Sequence, residues 1–187
     1  MKKITQAILL LLVTASAFSQ VTLNDVTLPA RIKKDNTELV LNGGGIRKKF
    51  VFKVYVAGLY LTAKSKNAAD ICGADKATGI RLVITSSVIN SDNMSESINE
   101  GFGKSLNGNT TALRPKIDAF INTFKKEAIK EGDVFEVVYV PGEGVKSYKN
   151  EKYISTVAGL DFKKALFGIW LSDNPVDSDL KTSLLGQ

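Results

Sequence analysis

The segment from Leu41 to Leu61 constrains the fold more than any other part of the chain, because it joins three consecutive glycines to a long apolar run. Gly43–Gly45 predict either a sharp turn or a place where something approaches the backbone closely. The run Phe50–Leu61 is rich in Val, Phe and Tyr and is nearly apolar on both faces, which predicts a central strand covered on both sides. Arg47 lies between the glycines and this strand, so the junction is the best candidate for a functional site.

Residues 1–19 have the pattern of a secretory signal peptide. Lys2 and Lys3 precede an apolar stretch, Ile8–Val13, and small residues that suit cleavage follow it. The apolar stretch is well short of the ~20 residues that a membrane-spanning helix needs, so we expect no stable membrane insertion after the signal is removed. The protein is predicted to be exported, periplasmic or secreted in a bacterium, with residues 20–187 forming one domain.

The residue types that the chain lacks narrow its chemistry. It has one cysteine, Cys72, and no histidine, which excludes an intramolecular disulfide, the usual zinc and iron sites, and Ser-His-Asp or Cys-His mechanisms. We expect no cofactor, and we interpret Cys72 as a small semi-buried residue rather than a reactive thiol. Two of the 25 basic residues lie in the signal, and the rest exceed the 19 acidic ones by four. This scattered surplus is too small to predict a nucleic-acid partner.

Hydrophobic patterning predicts an α+β domain. Asp133–Val140, Val145–Lys149 and Lys152–Val157 are separated by turn residues and predict a three-strand meander. Val21–Leu28 predicts one strand with an irregularity at Asn24-Asp25. Apolar residues at helical spacing predict four further elements, which are a helix capped by Ser91 or Asp92, a helix over Thr111–Lys130, a helix over Leu160–Leu171 and a short last helix capped by Ser178. Strands in meanders with helices grouped between and after them favour one antiparallel sheet covered by a layer of helices.

Two segments resemble the chalcone isomerase-like family. The first reads LNGGGIRKKFVFKVYVAGLYL (41–61) and resembles the family's N-terminal signature; the second reads FKKALFGIWLSDNPVDSDLKTSLLG (162–186) and resembles its closing helices. The resemblance covers most of residues 21–187 and is nearer to the bacterial, exported branch than to the plant flavonoid enzymes. It implies an open-faced β-sandwich in which a large curved sheet packs against helices. The family includes true chalcone isomerases and non-catalytic members that bind fatty acids in the same cleft.

The resemblance also implies two ligand-binding residues. The family's key arginine follows the glycines and matches Arg47, and the fatty-acid-binding members pair it with a tyrosine in a KVY-like sequence, which matches Tyr55. The plant enzyme instead has a threonine near this tyrosine. It also has a tyrosine and an asparagine on the next helix, where this chain reads Asn93-Met94 and Asn99-Glu100, and a threonine near Ile169. These departures disfavour chalcone cyclisation as the activity of this protein.

The spacing of Arg47 and Tyr55 sets a geometric condition on that site. On one straight strand they would share a face but lie roughly 26 Å apart at ~3.3 Å per residue, so they meet only if residues 47–49 bend back. If they meet, a guanidinium and a phenol hydroxyl can hold one carboxylate, and an apolar cleft takes its chain. The alternative is a surface arginine and a core tyrosine.

Three functions remain open at this point. The sequence favours an exported, non-catalytic binding protein for a fatty acid or similar small apolar carboxylate. The second is an enzyme, an intramolecular lyase or isomerase that acts on a chalcone-like enone or another substrate. The third is a structural or partner-binding module whose cleft is filled by its own side chains.

Overall fold

A seven-stranded antiparallel sheet organises the computed structural model, which describes residues 20–187. The predicted signal peptide, residues 1–19, lies outside the described residues. From one edge to the other the sheet follows chain order, and its strands are β3 (Arg31–Lys34), β4 (Thr37–Lys49), β5 (Phe52–Leu61), β6 (Thr78–Ile84), β7 (Val134–Val140), β8 (Gly144–Lys149) and β9 (Lys152–Val157). The predicted meander over residues 133–157 is therefore confirmed.

Helices pack on one face of this sheet, and the predicted α+β class is confirmed. They are α1 (Ala68–Gly73), α2 (Ser91–Ser105), α3 (Arg114–Lys125, preceded by a 3-10 turn at Thr111–Leu113), α4 (Leu160–Leu171) and α5 (Ser178–Leu184). The main core lies between this layer and the sheet. At its centre the rings of Phe102, Phe120 and Phe162 lie 5.6–6.2 Å apart between centroids, which is the range of favourable aromatic pairs. In residues 20–187, no helix is both long and apolar enough to cross a membrane.

A hairpin of two short strands, β1 (Val21–Leu23) and β2 (Val26–Leu28), packs on the opposite face of the sheet. The prediction of one strand over Val21–Leu28 was wrong. Asn24 and Asp25 adopt positive φ angles of 49° and 61°, and two such residues form the tight turn that joins twisted antiparallel strands. Asn and Asp tolerate this conformation better than other side chains, which is why the chain reverses at this point.

The glycines Gly43–Gly45 lie inside β4 and mark a close approach, not a turn. A Cβ atom on Gly43 would lie 2.7 Å from the carbonyl oxygen of Leu184, and one on Gly45 would lie 2.8 Å from Leu180 Cδ1. Both neighbours belong to α5, so this helix packs against the bare backbone of β4. The second of the two predictions for the glycines is confirmed, and α5 is held closer to the sheet than side chains would allow.

The bend that the sequence required lies five residues beyond Gly45 and after residues 47–49, which remain part of β4. The chain reverses between β4 and β5 at Phe50 and Val51, where Phe50 has a φ of 55°. β4 and β5 then pair as antiparallel neighbours over nearly their full lengths. Because this hairpin is long, residues that are distant along an extended chain become lateral neighbours in the sheet.

Candidate functional site

Arg47 and Tyr55 are direct partners in the pairing of β4 with β5. Directly opposed residues of an antiparallel pair project to the same face with Cβ atoms ~4.5–5.5 Å apart. The separation expected for one straight strand therefore does not arise, and the structure brings the two predicted site residues together. The side chain of Arg47 is 18% exposed, and both residues line one cavity. That they bind a ligand stays a prediction.

This cavity lies between the sheet and the helices α2, α3 and α4. It has a volume of about 70 Å³. Its wall is mainly apolar and includes Val54, Leu82, Ile89, Met94, Ile98, Phe120, Phe124, Val137, Leu166, Ile169, Trp170 and Val176. The polar residues that line it are Arg47, Lys49, Tyr55, Ser97 and Glu100. An apolar enclosure with a few polar groups is the usual composition of a small-molecule site.

The guanidinium of Arg47 is held by Asp177. Arg47 Nη1 donates to Asp177 Oδ2 at 3.2 Å and also to the carbonyl oxygen of Lys48. Asp177 is the N-cap of α5, where its other oxygen, Oδ1, accepts from the backbone N–H of Leu180 at 3.0 Å. The position of α5 is set by its close packing on Gly43 and Gly45. The glycines therefore place Asp177 beside Arg47 through the helix that packs on them.

The hydroxyl of Tyr55 is held by Trp170. Trp170 Nε1 donates to Tyr55 Oη at 3.0 Å. Burial raises the pKa of Tyr55, while the bond from Trp170 and the charge of Arg47 oppose that rise. The hydroxyl is thus protonated at neutral pH. Because it accepts from Trp170, its own hydrogen remains available to an acceptor in the cavity.

Sequence reasoning missed Trp170 and Asp177 as parts of this site. The apolar spacing of α4 places Trp170 on the inward face of the helix, but such spacing does not distinguish a core residue from one that orients a polar group. Asp177 lies 130 positions from Arg47 in the sequence, and no local pattern joins them. The prediction that Ser178 caps the last helix was wrong, since Asp177 is the N-cap, and a carboxylate just before a helix is a favourable cap.

The positions compared with the plant enzyme have other roles here. Ile169 lines the cavity as an apolar side chain. Asn93 completes the capping box of α2, whose N-cap is Asn90 and not the predicted Ser91 or Asp92. Asn99 accepts a hydrogen bond from Arg114 Nη1 at 3.0 Å. None of these three side chains supplies a hydroxyl group to the cavity.

Cys72 lies on α1 and does not line this cavity. Its thiol is free and buried, and burial raises its pKa to about 11. A thiol with so high a pKa is a poor nucleophile at neutral pH, which agrees with the interpretation of Cys72 as a packed small residue. Among residues 20–187, no three His, Cys, Asp or Glu side chains are grouped closely enough to hold a metal ion.

Comparisons with known proteins place this architecture. A comparison with curated proteins found no match. Among solved structures, a fatty-acid binding protein of Arabidopsis thaliana superposes with a TM-score of 0.70 at 18% sequence identity, covering 89% of this chain and 96% of that one. This likeness shows a shared fold. The family model described as chalcone isomerase-like matches residues 20–186, so the chain belongs to the chalcone isomerase-like family.

Proposed function

We propose that this protein binds a fatty acid or a similar small apolar carboxylate in the cavity between sheet and helices, without catalysing its conversion. We further propose that it does so outside the cytoplasm, after removal of the signal peptide. The observation that carries the proposal is the pair Arg47 and Tyr55 in the wall of a mainly apolar cavity. The fold it shares with a fatty-acid binding protein of Arabidopsis thaliana supports the choice of ligand class.

The polar groups of the cavity suit a carboxylate. A guanidinium carries five N–H donors, and the two bonds of Arg47 described above both use Nη1. Arg47 can therefore hold Asp177 and an added carboxylate at the same time. The hydrogen of the Tyr55 hydroxyl supplies a further donor. Charge-assisted bonds of this kind are about twice as strong as neutral ones, and a surrounding that excludes water strengthens them further.

The open space of the cavity supports binding over a filled, purely structural cleft. A cavity needs roughly 10–15 Å³ to hold one water molecule, so about 70 Å³ accommodates several water-sized groups with the side chains as they stand. Met94, an unbranched and adaptable side chain, forms part of the wall and can move to admit a longer chain. A series of acids of increasing length would measure this limit directly.

Catalysis of an enone cyclisation is less well supported by the same residues. That reaction needs donors that hold a developing enolate as well as groups that orient the substrate. Besides Arg47 and Tyr55, the cavity offers only Lys49, Ser97 and Glu100 as polar residues. These three residues do not supply the hydroxyl network that the resemblance to the plant enzyme would require. Arg47 and Tyr55 are sufficient to hold a carboxylate.

Binding of fatty acids by the purified protein tests the proposal. Lipid extraction with mass spectrometry identifies a co-purified acid, and calorimetry with a saturated acid and its matching alcohol measures the role of the headgroup. Arg47→Ala should weaken binding of the acid by ~1.5–3 kcal/mol and leave binding of the alcohol nearly unchanged. The control is Arg114→Ala, which removes an arginine from the exposed pair with Asp118. Equal affinity of wild type and Arg47→Ala for the acid would contradict the proposal.

A further inference from the structure

The β4–β5 hairpin ends in an exposed apolar tip. Phe50, Val51 and Phe52 are consecutive and are 91%, 88% and 49% exposed. In residues 20–187, six large apolar side chains are more than a third exposed, and these three are half of them. Val88, a fourth, lines the same surface groove as Phe50 and Phe52. Contiguous exposed apolar groups of this kind mark an interaction surface.

The backbone conformation of Phe50 does not favour a bulky aromatic side chain, so formation of the turn does not explain this residue. Its φ of 55° is unfavourable for a bulky residue. The other non-glycine residues with positive φ in the described chain are all Asn, Asp or Glu, namely Asn24, Asp25, Asp35, Asn107, Asn150 and Glu151. A small polar residue would suit the turn at Phe50 equally well. The exposed ring therefore adds nothing to the turn itself.

Lysines surround these apolar residues. Lys48, Lys49 and Lys53 are all exposed, and they flank Phe50–Phe52 in the sequence KKFVFK, which we call the hairpin tip (48–53). From Leu39 to Ala69 the chain contains no Asp or Glu. Within the described residues, Lys48 and Lys49 form no ion pair, and Lys53 Nζ donates to the neutral Asn24 Oδ1 at 3.0 Å. The hairpin tip thus presents uncompensated positive charge around an apolar centre.

The hairpin tip adjoins the cavity of Arg47 and Tyr55. The groove that contains Phe50 and Phe52 is also lined by Lys49, Val54, Ile89 and Ser97, and all four of those residues line the cavity as well. Any surface that the hairpin tip contacts would therefore lie beside the edge of the cavity.

We propose that the hairpin tip docks the protein reversibly on an anionic lipid bilayer, with Phe50, Val51 and Phe52 entering the headgroup region and the lysines contacting lipid phosphates. Aromatic side chains favour this interface, and each lysine near an anionic surface adds attraction that salt screens. Charge complementarity selects anionic lipid over a neutral bilayer. Docking of this kind does not depend on which molecule the cavity binds.

Flotation of the mature protein with lipid vesicles tests this docking. We expect binding to vesicles that contain phosphatidylglycerol at low ionic strength, with little binding to pure phosphatidylcholine and release at high salt. Phe50→Asn combined with Val51→Ser should lower the partition by about tenfold or more and should fold as well as wild type, because Asn tolerates positive φ. Lys48→Gln combined with Lys49→Gln should give a loss of similar size.

The matched control is Lys64→Gln combined with Lys66→Gln, which removes two exposed lysines just beyond the far end of β5 and should leave the partition unchanged. Tyr55→Phe, which alters the proposed ligand site without changing charge, should also float as wild type and so separates docking from that site. A fluorophore on Val51→Cys should shift to the blue on anionic vesicles, and one on Lys64→Cys should not. Equal flotation of tip variant and wild type, flotation independent of lipid charge, or self-association through the tip without flotation would each overturn the proposal.

Discussion

Asp177 Oδ2 lies 3.2 Å from Arg47 Nη1, so the cation of the candidate site already has an anionic partner from the protein. The pair is only slightly exposed, with 14% of the Asp177 side chain and 18% of the Arg47 side chain accessible. Asp177 orients the guanidinium, and its charge also reduces the attraction of Arg47 for an added carboxylate. These two effects of one residue have opposite consequences for binding, and substitution can separate them.

Asp177→Asn should strengthen the binding of a fatty acid. Asn is as good an N-cap as Asp, so α5 should stay in place, while the carboxylate that competes for Arg47 is removed. We expect a gain of about fivefold, ~1 kcal/mol, which is the usual range for a partly exposed ion pair. Calorimetry checks this, with Asp118→Asn as the control because Asp118 pairs with Arg114 on the surface. Weaker binding would mean that orientation of Arg47 by Asp177 outweighs the competition.

Tyr55→Phe should lower both stability and affinity. The substitution leaves the Trp170 Nε1–H without its acceptor, and an unsatisfied buried donor costs ~1–3 kcal/mol. The loss of the hydroxyl should weaken binding of the acid by a further ~0.5–1.5 kcal/mol. Urea unfolding is readily followed through Trp170, which is the only tryptophan of the chain. Tyr153→Phe is the control, since the Tyr153 hydroxyl is exposed and contacts only Thr156 among described residues; equal losses in the two variants would contradict the prediction.

Gly43→Ala should destabilise the protein by displacing α5. The added Cβ would meet backbone carbonyl oxygens of Ser183 and Leu184, and backbone cannot rotate away as a side chain can. Overpacking of this type costs about 1–3 kcal/mol. Gly103→Ala is the matched control, because Gly103 lies within α2 and its Cβ would meet nothing within 4 Å; it should stabilise the helix by about 0.5–1 kcal/mol. Urea denaturation of both variants measures the difference, and equal midpoints would exclude a role for close packing at Gly43.

Elements with strong local patterns could be predicted from the sequence. The apolar run of β5, the meander of β7–β9 and α4, whose bounds Leu160–Leu171 match the structure, all have clear periodicity or clear turn residues. The turn of the β4–β5 hairpin could not be predicted, because its positive φ falls on Phe50, a residue type that seldom adopts it. The three glycines were the stronger local signal for a turn, yet tertiary packing explains them, because α5 packs on Gly43 and Gly45 and Leu28 of β2 packs on Gly44.

The candidate site depended on a different kind of information. Arg47 and Tyr55 were predicted from a family resemblance. They lie opposite each other because of the register in which β4 pairs with β5, and the sequence between the two residues does not reveal that register. The contacts from Trp170 to Tyr55 and from Asp177 to Arg47 join residues 115 and 130 positions apart. Such contacts arise from the packing of α4 and α5 on the sheet, and a single sequence contains no local signal for them.

The buried thiol of Cys72 should make the protein sensitive to alkaline pH. Its pKa is about 11 in the folded protein against 9.0 for an ordinary thiol, chiefly because burial disfavours the thiolate, with the nearby charge of Lys163 opposing that effect. Above pH 9 the thiol of the unfolded chain ionises while the folded one does not, so the unfolded state is favoured progressively as pH rises to about 11. A shift of this size corresponds to ~2–3 kcal/mol of stability that is present below pH 9 and is lost by pH 11.

Cys72→Ala removes this titration and provides the comparison. The free energy of unfolding of both proteins, measured in urea at pH 8 and at pH 11, should fall more steeply in wild type by ~2–3 kcal/mol. Tyr139, whose pKa burial raises to about 12, titrates in both proteins, so its contribution cancels in the difference. A constant difference between the two proteins across this pH range would show that Cys72 ionises equally in the folded and unfolded states, and would contradict its burial as the cause.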